Sequence, residues 1–201
     1  MTFQGFVVTG ASWAGMFVTP YVVPSRIIIT ASKFVSNNGW GLYAIEHREG
    51  VGWESGFVIK GNVFSSNSYD GIALETVGYA LIQSNKTCGN GPGYVGVSIF
   101  DGSHDIAIEH NVILDNDWGG IWIDYRENPD IVIKENVIAN HQGSPGTGIE
   151  IEEGASYQTY TMSRNLILRN NGIVLWNGPQ DNPFPENCLI FNSEDYSTGY
   201  Q

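Results

Sequence analysis

Basic residues are scarce in this chain of 201 residues, in which nine lysines and arginines face 21 aspartates and glutamates. The formal charge of −12 argues against nucleic acids and anionic membranes as partners, because both are bound through clustered Lys and Arg side chains. Neutral or cationic ligands are favoured instead.

Long hydrophobic runs are also missing. The apolar stretches are short and are interrupted by glycine or polar residues, so none could span a bilayer. No N-terminal stretch has the charged and then apolar order of a signal peptide. No composition shift marks a linker, and we therefore expect one domain over residues 1–201, which could be the core of a longer protein.

Cysteine occurs only twice, at Cys88 and Cys188. These residues are four sequence repeats apart, which in a stack of strands corresponds to about 19 Å, beyond the reach of a disulfide. We predict two free thiols. The four histidines show no metal-ligand spacing with the cysteines, and neither a transition metal nor an organic cofactor is implied.

Asparagine, in contrast, returns at intervals of 23 to 29 residues and opens a short phrase each time. Examples are Asn62-Val-Phe-Ser-Ser-Asn67, Asn111-Val-Ile-Leu-Asp-Asn116 and Asn136-Val-Ile-Ala-Asn140. A glycine-led strand such as Gly120-Ile-Trp-Ile123 follows each phrase, and its apolar residues alternate with period two. The repeat therefore contains strands, not helices.

A unit of about 25 residues with three short strands cannot bury its own apolar face, so neighbouring units must stack and share a core. The sequence predicts an all-β fold, a right-handed parallel β-helix of about seven rungs. The asparagines should stack at a turn and bond the amide one rung away. A leucine-rich repeat is less consistent, because its leucine spacing and helical return segment are absent. The open coil ends could support self-association.

Acidic residues follow most of the third strands of the repeats. The residues after these strands are Glu46, Glu75, Asp101 (after Phe100), Asp124 and Glu152, with Trp176 in the last repeat. Stacked coils would bring neighbouring members to about 4.8 Å. They could be solvated turn residues, but Tyr43, Trp122 and Glu150 are expected to point outward beside them. Aromatic rings next to paired carboxylates suit sugar binding and glycoside cleavage.

The separation of the acids indicates a mechanism. Asp124 and Glu152 would lie on adjacent rungs, near the roughly 5 to 5.5 Å between the carboxyls of retaining glycosidases. Glu75 and Asp124 would span two rungs, about 9.6 Å, and would suit an inverting pair instead.

The stretch Trp118-Gly-Gly-Ile-Trp-Ile-Asp-Tyr125, with Gly148-Ile-Glu-Ile-Glu152 one coil later, resembles the paired-acid motif of β-helix glycoside hydrolases of the β-xylosidase type. The resemblance implies that Asp124 is the nucleophile and Glu152 the acid/base, although Tyr125 stands where that family has tryptophan.

In this reading a neutral polysaccharide or oligosaccharide is the substrate. Trp122 and Trp176 would stack on it, and polar contacts would come from Glu75, Glu150 and Arg126, with Tyr43 and Asp101 nearby. Similar phrases occur in uncharacterised secreted β-helix proteins, so we expect a secreted or extracellular location.

Two other functions are open. A polysaccharide lyase acting on uronate polymers would need a Lys, Arg or His base, for which the candidates are Arg48, Arg126, His47 and His104. Calcium could bridge a uronate to the column of Glu75, Asp101 and Asp124. A non-catalytic carbohydrate-binding or adhesive β-helix would use the aromatic residues, and its acids would only hydrogen-bond sugar hydroxyls.

Overall fold

The computed structural model describes residues 1–19, 26–45, 56–124, 130–152, 160–176, 187–190, 192 and 197–198, with the backbone alone at 172–176, 189–190 and 197–198. These residues form 23 β-strands, and successive coils contribute strands to each of three parallel sheets. No helix is found in the described ranges, so none there is long and apolar enough to cross a membrane.

The three sheets hold seven, eight and eight strands. The first sheet contains β1 (Thr2–Gln4), β4 (Ile27–Thr30), β7 (Phe57–Lys60), β10 (Gly78–Gln83), β13 (His104–Glu109), β16 (Ile131–Lys134) and β19 (Tyr160–Ser163). The second sheet contains β2 (Val7–Thr9), β5 (Lys33–Val35), β8 (Val63–Ser65), β11 (Lys86–Cys88), β14 (Val112–Leu114), β17 (Val137–Ala139), β20 (Leu166–Leu168) and β22 (Cys188–Ile190). The third sheet contains β3 (Ala14–Val18), β6 (Trp40–Ile45), β9 (Ile72–Glu75), β12 (Val95–Phe100), β15 (Gly119–Ile123), β18 (Thr147–Ile151), β21 (Gly172–Trp176) and β23 (Ser197–Thr198). The predicted fold class, a parallel β-solenoid with three strands per coil, is confirmed.

Inward-facing residues of equivalent strands stack into columns that fill the interior. One column of the first sheet consists of Ile29, Ile59, Ile82, Ile108 and Ile133, all fully buried. Each such isoleucine contributes roughly 2 kcal/mol relative to exposure. The neighbouring strands supply the rest of the core, since no single coil could cover this surface.

Asparagines form two ladders, one at the first turn (between the first and second sheets) and one at the second turn (between the second and third sheets). At the first turn, Oδ1 of Asn111 accepts from the backbone N and the Nδ2 of Asn85, at 2.9 and 3.1 Å. Nδ2 of Asn111 donates to Ile82 O and to Asn136 Oδ1, at 2.8 and 3.0 Å. Each amide thus links three coils, and the ladders fix the register.

The described residues that directly precede ladder positions adopt a left-handed conformation, as at Ser84 (φ 55°) and His110 (φ 55°). The phrase Asn136-Val-Ile-Ala-Asn140 departs from the prediction at its second turn. There Asn140 takes the left-handed position (φ 62°), and His141 takes the ladder position. The assignment of Asn140 to the ladder was wrong. Asparagine tolerates the left-handed region better than most residues, so it serves the bend here and leaves the ladder to histidine.

Cys88 and Cys188 are both free thiols, as predicted. The strand register puts Cys188 in the column of Leu166, Val137, Val112 and Lys86, so four coils separate its position from the coil of Cys88.

Candidate active site

The outward row of the third sheet forms the floor of the candidate site. Across adjacent strands the register places Tyr43, Ala73, Ser98, Trp122 and Glu150 side by side. Ala73 and Ser98 are 0% and 1% exposed although they face away from the core. Side chains therefore cover this part of the outer surface.

The cover is aromatic. Trp40 packs against Tyr43 and Tyr69, with ring centroids 4.6 Å apart in both pairs. Tyr69 stacks on Tyr94 at 4.5 Å. These rings belong to successive coils and run along the axis of the solenoid. Sugar faces stack on such surfaces.

A cavity of about 270 Å³ opens at this cover, and we call it the aromatic cavity. It is lined by Trp40, Asp70, Gly93, Tyr94, Val95, Phe100, Trp118 and Trp122. Five of these eight residues are aromatic, and Trp118 is 41% exposed at the rim.

Asp70 is the one carboxylate among the described residues that line the cavity. It precedes the third strand of its coil and is 7% exposed. Its Oδ1 accepts from the backbone N of Val95 at 2.9 Å, and its Oδ2 accepts from the hydroxyl of Ser98 at 3.0 Å. Burial raises the pKa of Asp70 to about 6, while these two bonds and one from the Trp40 side chain act in the opposite direction.

Three carboxylates, which we call the acid end, lie beside the cavity: Asp124, Glu150 and Glu152. Ile123 pairs with Ile151, and the backbone N of Glu152 donates to Ile123 O at 2.9 Å. Asp124 and Glu152 therefore occupy equivalent positions on adjacent coils, about 4.8 Å apart along the solenoid. Asp124 is 4% exposed, and its Oδ2 accepts from the backbone N of Asp101 at 3.2 Å.

Trp122 connects the cavity to the acid end. Its Nε1 donates to Oε1 of Glu152 at 3.1 Å, while its ring lines the cavity. Burial raises the pKa of Glu150, and the charge of Glu152 adds to the effect. Bonds from the Thr147 hydroxyl and from Trp118 lower it. A half-buried carboxyl that retains its proton more readily suits proton donation.

Other predicted site residues are dispersed. The Tyr43 hydroxyl donates to Oε2 of Glu75, and Phe100 pairs with Glu75, so an apolar residue separates Glu75 from Asp124 in the column. Glu75 pairs with Ile45 on the other side, and Glu46, which was expected in this column, lies outside the described residues together with His47 and Arg48.

Trp176 is shifted from its predicted position. Its backbone pairs with Ile151 and not with Glu152, because Thr147, not Gly148, is opposite Gly172. The predicted placement of Trp176 in the acid column was therefore wrong by one residue. Arg126 lies outside the described residues.

His104 Nδ1 lies 2.8 Å from Oδ2 of Asp105 at the start of the next strand of the first sheet. Among the described residues, no three His, Cys, Asp or Glu side chains come together in a way that could hold a metal ion. Calcium that bridges a uronate to Glu75, Asp101 and Asp124 stays a prediction.

The family model for the right-handed beta helix region matches residues 4–190. The chain belongs to the right-handed beta helix family. No curated protein sequence matches it.

Solved structures similar to this right-handed β-helix include the periplasmic alginate epimerase AlgG, with a TM-score of 0.65 and 14% identity, over 98% of this chain and 51% of that one. The A-module of the Azotobacter vinelandii mannuronan C-5 epimerase AlgE4 matches with a TM-score of 0.63 and 14% identity, over 98% of this chain and 55% of that one. The chain spans about half the length of these structures. At 14% identity, the similarity to these structures shows the fold alone.

Sequence reasoning missed Asp70, Trp40, Tyr94 and Trp118 as site residues of this β-helix. Asp70, Tyr94 and Trp118 precede their third strands and Trp40 is the first residue of its strand, whereas the prediction considered residues further along the strands and after them. A signal was present, since an aromatic residue recurs just before the third strand at Trp13, Tyr69, Tyr94 and Trp118.

Proposed function

We propose that the chain is a carbohydrate-active enzyme that holds a glycan in the aromatic cavity and cleaves a glycosidic bond at Asp124 and Glu152 with retention of configuration. The observation that carries this proposal is the contact between Trp122 and Glu152, because one indole both lines the cavity and bonds a carboxylate of the acid end.

The cavity has the chemistry of a sugar site. Its volume of about 270 Å³ lies near the lower limit of roughly 300 Å³ for small-molecule pockets, so it suits one ring of a longer chain. Aromatic faces stack on the apolar faces of pyranoses. The acids at its edge would then lie beside the bond to the next sugar.

The two acids on adjacent coils suit a double displacement. Asp124 would attack the anomeric carbon while Glu152 protonates the departing glycosidic oxygen. Glu152 would then take a proton from water, which attacks the same carbon and releases Asp124. The bond from the Asp101 amide orients the Asp124 carboxylate, and the indole of Trp122 orients Glu152.

Glu150 competes with Glu152 for the role of the acid. Its pKa is raised, chiefly by burial, and Glu150 lies opposite Trp122 on the adjacent strand. Separate variants of the two glutamates distinguish them.

A polysaccharide lyase or epimerase is the second candidate, because the similar structures AlgG and AlgE4 are alginate epimerases. Either reaction on a uronate needs a base and a group that neutralises the carboxylate. The described residues that line the aromatic cavity include no cation, which favours a neutral or cationic glycan. Arg48 and Arg126 are the candidates for the positive charge that would neutralise a uronate carboxylate. The periplasmic location in the name of AlgG supports a proposal that this chain also acts outside the cytoplasm.

The test is a screen of neutral polysaccharides, amino-sugar polymers and polyuronates with the purified chain, scored for new reducing ends and for ultraviolet-absorbing unsaturated ends. Asp124→Asn and Glu152→Gln should each reduce hydrolysis by about a hundredfold or more, whereas Glu135→Gln, at a turn outside the third sheet, should not. NMR of the first product should show the configuration of the substrate.

Each outcome selects a function. Unsaturated products would identify a lyase, and altered sugar configuration in an intact polymer would identify an epimerase. Binding without any turnover would identify a non-catalytic module. If Glu150→Gln abolishes hydrolysis and Glu152→Gln does not, Glu150 is the acid.

A further inference from the structure

In the part of the chain that the structure describes, the aromatic cavity combines aromatic walls with one buried carboxylate. Trp40, Tyr94, Phe100, Trp118 and Trp122 supply the walls, and Asp70 is 7% exposed between them. Among the described lining residues, Asp70 is the one charged side chain, and the neutral polar groups are the hydroxyl of Tyr94 and the indole N–H groups of the tryptophans. The lining therefore combines one negative charge with several aromatic faces.

Cations are attracted to such a site by two effects. The faces of aromatic rings carry negative electrostatic potential and attract ammonium groups, with tryptophan the strongest. A carboxylate in a poorly solvated site attracts a cation far more strongly than one in water. The donors from Val95 and Ser98 stabilise the charge of Asp70. The net charge of −12 adds long-range attraction.

We propose that the aromatic cavity binds an organic ammonium group, the protonated amine of an amino sugar in the glycan, against Asp70 and the surrounding rings. The identification of the ligand as a sugar rests on the proposed function, whereas the recognition of an ammonium group rests on the cavity alone. The substrate class would then be a polymer that contains amino sugars with free amines.

The titration of Asp70 gives this site a pH dependence. Burial raises the pKa of Asp70 to about 6, so its carboxyl is largely ionised at pH 7 and becomes protonated as the pH falls. Among the described residues, the titratable groups near Asp70 are the phenols of Tyr69 and Tyr94, and burial raises the pKa of Tyr94 above its ordinary value. Affinity for a permanently charged ammonium ion should therefore fall below pH 6.

The experiment compares three oligosaccharides of equal length by calorimetric titration at pH 7: glucosamine, N-acetylglucosamine and glucose oligomers. The glucosamine oligomer should bind about tenfold tighter or more than the other two. Tetramethylammonium, whose charge is independent of pH, should compete with it, and its own affinity should fall between pH 7 and pH 5.

Two variants test the walls and the acid separately. Asp70→Asn should remove the preference for the amine, and Trp118→Ala should weaken glucosamine binding about tenfold. Trp118 is 41% exposed, so this truncation leaves the core intact even if Asp70→Asn disturbs the bonds to Val95 and Ser98. Phe6→Ala, at another exposed aromatic (53%) on the first coil, is the matched control and should bind as the wild type does.

Equal affinity for the three oligomers, or unchanged selectivity in both variants, would overturn the inference while leaving the proposed hydrolysis intact. Tetramethylammonium binding that depends on Trp118, without glycan binding or turnover, would support the ammonium site and refute the carbohydrate function. Absence of binding by every cation would refute the site itself.

Discussion

Replacement of His141 by asparagine should make the fold less sensitive to acid. His141 occupies a ladder position that asparagine holds in neighbouring coils and is fully buried. Its Nδ1 faces both the backbone N and O of Asn116, at 3.2 and 3.0 Å. Among the described residues no hydrogen-bond partner reaches its Nε2. Burial lowers the pKa of His141 to about 4, although the bond to Asn116 acts in the opposite direction.

The sign and size of the effect follow from linkage between protonation and folding. Above pH 6.5 the imidazole is neutral in both states, so it adds no pH dependence. As the pH falls from 6.5, the unfolded chain takes up a proton that the folded chain excludes, and the free energy of unfolding decreases. At pH 4 the accumulated loss is about 3 kcal/mol. Below the folded pKa the loss no longer grows.

Urea unfolding of the wild type and of His141→Asn at pH 7 and pH 4 measures this loss. The variant should lose about 3 kcal/mol less than the wild type between the two pH values. The difference between the free energies of unfolding at the two pH values does not contain any pH-independent contribution from altered packing. His110→Asn, at a half-exposed turn histidine paired with Glu135 at 2.9 Å, is the control. Equal losses in the wild type and in His141→Asn would refute the reasoning.

Three further predictions concern the fold. Asn111→Ala removes four side-chain hydrogen bonds and should lower the free energy of unfolding by roughly 4 kcal/mol in urea titrations; a loss below 1 kcal/mol would contradict the ladder's role. Gly120→Ala would place a Cβ 2.4 Å from Gly148 O. This variant should have a lower melting temperature, and its free energy of unfolding should fall by about 3 kcal/mol. Thiol labelling should modify exposed Cys188 faster than Cys88, because burial raises the pKa of Cys88, and reductant should not change the migration of the native chain in gels.

The fold was predictable because the signals in the sequence repeat. Period-two alternation identifies a strand but does not show which other strand it pairs with. The recurring asparagine supplies that information, because it sets the register of each coil against the next. Where the repeat varied, the prediction was wrong. Asn140 was mistaken for a ladder residue because two adjacent positions of the turn, one bent and one in the ladder, both accept asparagine.

The candidate site was only partly predictable. Asp124, Glu150, Glu152 and Trp122 follow directly from register, and the structure brings them together. Asp70 could not be recognised in the same way. Its burial depends on aromatic side chains from several coils, and their convergence depends on side-chain packing that no single repeat specifies.

The ladders also explain why the acids can gather where they do. Register is fixed at the first and second turns, whereas the third turn, which leads from the third sheet to the next coil, carries no asparagine ladder in the described residues. Its length varies widely, from residues 76–77 between β9 and β10 to residues 152–159 between β18 and β19 and 46–56 between β6 and β7. The second turn varies less, from residues 169–171 between β20 and β21 to residues 140–146 between β17 and β18. Insertions at the third turn do not shift the stacked strands, because each coil re-enters register at its next asparagine. Asp124 and Glu152 each begin a long segment of this kind, so the acid end lies at the corner of the coil whose length varies most.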